Sequence, residues 1–195
     1  MLAPPSGEDL DWIKEQATKP ELLASFGLAT GDDRLAMAAD NPNVNTAVVL
    51  VEGQKRVGFA LLFPPTDLDV FWEYLAAIPS AGDRDGYTAM QAFDAMAFYA
   101  FDWMKIERLG FRIERSNTGP LALAKRGGFT PLRTEVVEGR TMVVYSIDRA
   151  TWNVRLANLE KGELAHPSGL GATFLRVGPP FIVRQTARPP GPLRA

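Results

Sequence analysis

Asn117-Thr118-Gly119-Pro120-Leu121-Ala122-Leu123-Ala124-Lys125-Arg126-Gly127-Gly128-Phe129 is the stretch on which the fold turns. Asparagine is a favoured helix N-cap, because its side-chain oxygen can take a free backbone donor of the first turn. The residues that follow read as a short helix, and Gly127-Gly128 closes it. Lys125 and Arg126 stand in the last turn, where the helix dipole favours positive charge. Phe129 then opens a new extended run. Immediately upstream, Leu109, Phe111 and Ile113 alternate with Arg108, Arg112 and Glu114, the period of a half-buried strand. The stretch is therefore a strand-helix-strand junction.

Further along, residues 129–137 and 141–147 read as strands joined by a turn at Glu138-Gly139. Upstream, Met90, Phe93, Ala97, Phe101 and Met104 recur at helical spacing and predict one long helix from Tyr87 to Lys105. A loop covers 80–86, and a strand from Leu68 to Ile78 ends at Pro79. Two β-branched runs, 46–51 and 56–63, flank a turn at 52–55 and predict a hairpin ended by Pro64-Pro65. A helix around Asp32 to Ala39 stops at Asn41-Pro42-Asn43, and Ser6 with Asp9 has the spacing of a capping box, with Leu10 and Ile13 turned to a core. The order α-α-β-β-β-α-β-α-β-β predicts an α/β (α+β) domain: a mixed central sheet with helices on both faces.

With 195 residues and 46% apolar composition, the chain suffices for one domain and an appendage. A net charge of −2 gives no basic face for nucleic acid. The absence of cysteine excludes disulfides, thiolate ligands and a cysteine nucleophile, and the single His166 does not support a histidine metal site or a Ser-His-Asp triad. No signal-peptide pattern and no run long enough to span a bilayer is visible, so a cytoplasmic location without membrane contact is expected. After Trp152 the composition changes. The domain is expected over 1–152, and 153–195 reads as a basic, Pro/Gly-rich extended tail that docks on its own domain or on a protein partner.

The interval from Asn117 to Gly128-Phe129, with the order of elements around it, resembles the Gcn5-related N-acetyltransferase (GNAT) family over about three-quarters of the chain. Ala124 stands where many members carry a tyrosine general acid, which resembles the ribosomal-protein-acetylating (RimJ/RimL-like) branch, although Pro120 replaces a serine common there. The resemblance implies two parallel strands that splay apart, with acetyl-CoA inserting its pantetheine arm between them. Backbone amides at Ala77 and Ile78 would pair with that arm, one of them polarising the thioester carbonyl. Asn117 would contact pantetheine, and Arg126 the 3′-phosphate. The pyrophosphate would lie at the start of the long helix, at Arg84, Gly86, Tyr87 and Thr88. The loop keeps the middle glycine of the family pattern, Gly86, but has Asp83 and Thr88 on either side. Glu73 is the candidate general base, with Phe71, Trp72, Tyr74 and Leu75 expected to desolvate it. Tyr87 and Tyr145 are candidate proton donors to the leaving thiolate.

Each candidate also has a plainer reading: Glu73 as a solvent-facing strand residue, Asn117 as a helix cap, Arg84 as a solvated charge, the tyrosines as core. Two function classes stay open. One is an acetyl-CoA-dependent N-acetyltransferase acting on a primary amine. The other is a catalytically silent GNAT-fold interaction module, docked through its tail in a larger assembly such as a virion. A homo-oligomer fits either.

Overall fold

The computed structural model describes residues 2–3, 5–50, 55–66, 70–80, 86–127 and 129–160. In chain order these form β1 (Leu2–Ala3), α1 (Gly7–Ala17), α2 (Pro20–Ser25), α3 (Arg34–Asp40), β2 (Asn45–Leu50), β3 (Arg56–Phe63) and β4 (Trp72–Ala77). There follow α4 (Gly86–Phe98), β5 (Arg108–Glu114), α5 (Thr118–Arg126), β6 (Pro131–Val137), β7 (Arg140–Asp148) and α6 (Arg149–Glu160).

The expected capping box opens α1: Asp9 N–H donates to Ser6 Oγ at 3.2 Å, and Ser6 N–H donates to the Asp9 carboxylate at 2.8 Å. Arg56 of β3 pairs with the same carboxylate at 2.6 Å, tying the helix to the sheet. The short α2, absent from the sequence reading, starts with Pro20 in its first turn, where a missing N–H costs nothing.

The seven strands lie in the order β1-β2-β3-β4-β5-β7-β6. All neighbours are antiparallel except β4 and β5. That parallel pair is registered through Trp72↔Leu109 and Glu73↔Gly110. Beyond these rungs β4 stays with β3 as far as Phe59↔Ala77, while β5 stays with β7 as far as Glu114↔Met142. The two strands therefore fork. Successive side chains point to opposite faces, so β3 sends Ala60 and Leu62 into one core and Phe59 and Leu61 into the other. The first core packs α4 and α6 on the sheet through Phe93, Phe101, Leu109 and Trp152. The second packs the three N-terminal helices through Ile13, Leu23 and Leu35.

The long helix and the strand before it differ from expectation. The long helix does not run unbroken to Lys105: α4 ends at Phe98 and a π-helical turn spans Tyr99–Trp103. Met104 N–H reaches Tyr99 O at 3.0 Å, and Lys105 takes φ +59° to leave the turn. The wider turn keeps Ala100 and Phe101 both fully buried, which the apolar spacing alone could not distinguish from a regular helix. The strand expected from Leu68 begins at Trp72, because Phe71 instead lays its ring over Gly110.

Trp152, where the composition changes, lies inside α6. Asp148 starts that helix by accepting the Thr151 N–H at 2.8 Å. Prolines and glycines begin only at Gly162, so residues 153–160 carry nothing that breaks a helix. Residues 161–195, the rest of the expected tail, lie outside the described residues. Among the described residues no helix is long and apolar enough to cross a membrane.

Candidate active site

A cleft of about 500 Å³ occupies the fork between β4 and β5 and opens on both faces of the sheet. On the side of α4 and α5 it is lined by Met90, Phe93, Asn117, Leu123, Ala124 and Phe129. On the side of the N-terminal helices it is lined by Phe26, Leu28 and Arg34, with Glu73 and Leu75 from β4 and Arg112 and Glu114 from β5. The hairpin joining β6 and β7 closes its rim with Val137, Glu138 and Arg140.

The structure brings Glu73, Asn117 and Ala124 together on this cleft. Asn117 stands at the N-cap position of α5, donating its N–H to Glu114 O at 2.8 Å, but its side chain makes no capping hydrogen bond. The plain capping reading therefore does not account for that side chain. Ala77 and Ile78 lie at and just past the end of β4, whereas the β4 residues that line the cleft are 73–76. Gly86 and Tyr87 begin α4, and Thr88 is buried in its first turn. Arg84 and the side chain of Arg126 lie outside the described residues. Tyr145 is buried, stacked on Phe111 with centroids 5.3 Å apart.

Only some of the apolar neighbours expected around Glu73 share its face: Leu75 lines the cleft with it, and Phe71 lies under its partner Arg112. Trp72 and Tyr74 point to the α4 face, and the Glu73 carboxylate forms an ion pair with Arg112. Arg112 also bonds Glu135 of β6 at 2.6 Å, and Glu135 holds Arg133 at 2.9 Å. Both guanidiniums lie over the Phe71 ring, with Arg112 5.6 Å and Arg133 5.8 Å from its centroid. Burial opposes the charge on Glu135, but hydrogen bonds and the fields of Arg112 and Arg133 outweigh it and hold its carboxyl below the usual range. Glu114 is likewise held low, chiefly by the Ser116 hydroxyl and then by Arg140 at 3.0 Å.

Two further features escaped the sequence reading. Tyr74 lines the cleft from β4, edge-on to Phe93 at 5.3 Å, and its buried hydroxyl has no hydrogen-bond partner among the described residues. Burial, and then the charge of Asp94, push its phenol well above the ordinary value, so it stays protonated. The rim arginines are also placed by contacts far apart in the chain. Arg34 reaches Glu138 at 3.1 Å and Asp32 at 2.7 Å, while Arg140 lies flat on Gly27. A Cβ on Gly27, whose φ is +77°, would stand 2.6 Å from Arg140 Cδ. Only a spacing cue, glycine in a short loop after α2, hints at this in the sequence.

The sequence matches no family model. It likewise matches no curated protein. Solved structures do match. Spermidine N-acetyltransferase from Vibrio cholerae, in complex with CoA and spermine, superposes with TM-score 0.67 at 12% identity, over 78% of this chain and 97% of that one. Aminoglycoside acetyltransferase AAC(6')-Ib in complex with coenzyme A gives TM-score 0.66 at 12% identity, over 79% and 97%. A GNAT-family acetyltransferase from Bacillus anthracis gives 0.60 at 17% identity, over 75% and 93%. The forked parallel pair, the order of elements and these superpositions agree: the chain has the GNAT N-acetyltransferase fold.

Proposed function

We propose that this protein is an acetyl-CoA-dependent N-acetyltransferase acting on a primary amine. The observation that carries the reading is the fork between β4 and β5, opened into a cleft that passes through the sheet. The similar structures solved with CoA support the same ligand here. Tyr74 to Ala76 and Asn117 line the cleft, and the pantetheine arm would lie along them. Ala77, Ile78, Gly86, Tyr87, Thr88, Arg84 and Arg126 remain candidate contacts along the rest of the cofactor. Acetyl-CoA supplies an activated acyl thioester. The amine enters from the side of the N-terminal helices, where Glu73 takes up its proton and Arg112 fixes the carboxylate in place. The carbon–sulfur bond breaks, a carbon–nitrogen bond forms, one proton leaves nitrogen and one arrives at sulfur. Sulfur takes its proton from solvent, and Tyr74, which burial keeps protonated, lines the same cleft as a hydrogen-bond donor.

Calorimetry of the full chain with acetyl-CoA tests this reading. Micromolar binding, lost when Leu75→Trp fills the cleft, supports it, as does thiol release with an amine that falls about 100-fold in Glu73→Gln. One observation favours a second reading, the catalytically silent module: Glu73 commits an oxygen to Arg112. No binding at millimolar acetyl-CoA would decide for that module.

A further inference from the structure

Among the described residues, the mouth of the cleft on the side of the N-terminal helices is lined by three carboxylates and three guanidiniums, and each carboxylate pairs with one of the arginines. Glu73 pairs with Arg112, Glu114 with Arg140 at 3.0 Å, and Glu138 with Arg34 at 3.1 Å. The arginines are themselves held: Arg112 by Glu135, Arg34 by Asp32, and Arg140 by the bare backbone of Gly27 beneath it. Between the pairs the surface is apolar, formed by Phe26, Leu28, Phe63, Leu75, Val137 and Met142. A polycationic acceptor needs carboxylates ready for each ammonium beyond the one that reacts. Here a second ammonium would have to displace a guanidinium whose planar fork is the better partner for a carboxylate. An apolar body displaces only water from these side chains, and its burial is favourable.

We infer that the acceptor is a monoamine with an uncharged, apolar body, not a polyamine or an amino sugar. The inference rests on the transferase reading. It sets this chain apart from the similar structures, whose bound spermine and kanamycin are polycations.

The test uses the full chain with saturating acetyl-CoA and follows thiol release with 2-phenylethylamine, spermidine and kanamycin. The kcat/KM for 2-phenylethylamine is expected to exceed those of the other two by about tenfold or more. Arg34→Gln, which strips Glu138 and Asp32 of their guanidinium, is expected to narrow that ratio by improving spermidine. Equal or better use of spermidine or kanamycin by the unaltered protein overturns the inference, as does an unchanged ratio in Arg34→Gln. Acetyl-CoA binding without thiol release from 2-phenylethylamine overturns the acceptor inference alone. Absence of both acetyl-CoA binding and thiol release, with every amine tried, overturns the transferase reading beneath it.

Discussion

The indole of Trp152 stacks on the ring of Phe101, centroids 5.8 Å apart and planes within 15° of parallel, and donates its N–H to Asp102 at 3.1 Å. A side chain from α6 thus fills the space beside the π-helical turn, and both rings are fully buried. Arg149, at the start of the same helix, donates to Phe101 O in that turn at 2.8 Å and to Ile106 O beyond it at 2.7 Å.

Trp152→Ala should therefore lower folding stability by about 3–5 kcal/mol, the range for emptying a large aromatic site. Denaturant unfolding measures it. A chain ending after Trp152 should also be less stable than one ending at 160, because it loses the Arg155 to Asp94 pair at 2.8 Å and the bond from Arg155 to Gly127 O. Equal midpoints for the two truncations would show that α6 adds nothing beyond its first turn.

Two glycines near the fork, Gly58 on β3 and Gly110 on β5, should differ in whether a second substitution relieves the clash of an alanine. At Gly58 an added methyl meets the carbonyl oxygen of Ala77, part of the backbone, which has nowhere to turn. Gly58→Ala should cost about 1–3 kcal/mol and weaken acetyl-CoA binding by displacing the end of β4. At Gly110 the methyl meets the buried ring of Phe71, a side chain that a second substitution can remove. Gly110→Ala should cost a similar amount, but adding Phe71→Ala should remove most of the clash. Melting curves and calorimetry on the three variants separate the cases.

Acid should loosen the face that carries the Glu73, Arg112, Glu135 and Arg133 network. The folded carboxyl of Glu135 is held below its usual 4.5, with Glu114 shifted in the same direction. A depressed carboxylate contributes stability that is present above the ordinary value and is lost as pH falls through the folded one. The melting temperature should drop as pH goes from about 5 to 3. Glu135→Gln should flatten that drop while lowering the plateau at neutral pH.

The cap of α1 offers a local check. Ser6→Ala removes an oxygen that accepts from Asp9 N–H and a hydroxyl that donates to the Asp9 carboxylate at 2.7 Å. A loss of about 1 kcal/mol is expected. Asp9, now held low by Ser6 and Arg56 against the opposing effect of burial, should titrate at higher pH in the variant, measurable by NMR.

What could be read from the sequence was set by short-range rules. Ser6 and Asp9 are three residues apart, Glu138 and Gly139 adopt the paired positive φ values of a tight hairpin, and the short helix after Asn117 ends at Gly127. These depend on neighbours, so spacing shows them. The α6 helix was hidden because its buried stripe amounts to Trp152 with partial help from Leu156, too little for a periodic signal. Its cap, Asp148 before Thr151, was the available cue. At the site, Glu73 and Asn117 were nominated by resemblance, but the partner of Glu73 is 39 positions away, and Arg34 is 104 from Glu138. No local pattern encodes which charges meet across a sheet. That pairing is a property of strand order, with β7 placed between β5 and β6.

The fork has a mechanical meaning as well. Strands β1 to β4 and strands β5 to β7 form two leaves joined by the rungs at Trp72 and Glu73, so the sheet behaves as a lattice with bars missing along one seam. An extended molecule laid in that seam would act as a splice, offering amide and carbonyl groups where the protein has left its own strands apart. In the proposed complex, ligand and enzyme would then share one continuous hydrogen-bonded fabric, and stiffness gained along the seam would be a direct measure of how fully the ligand is seated.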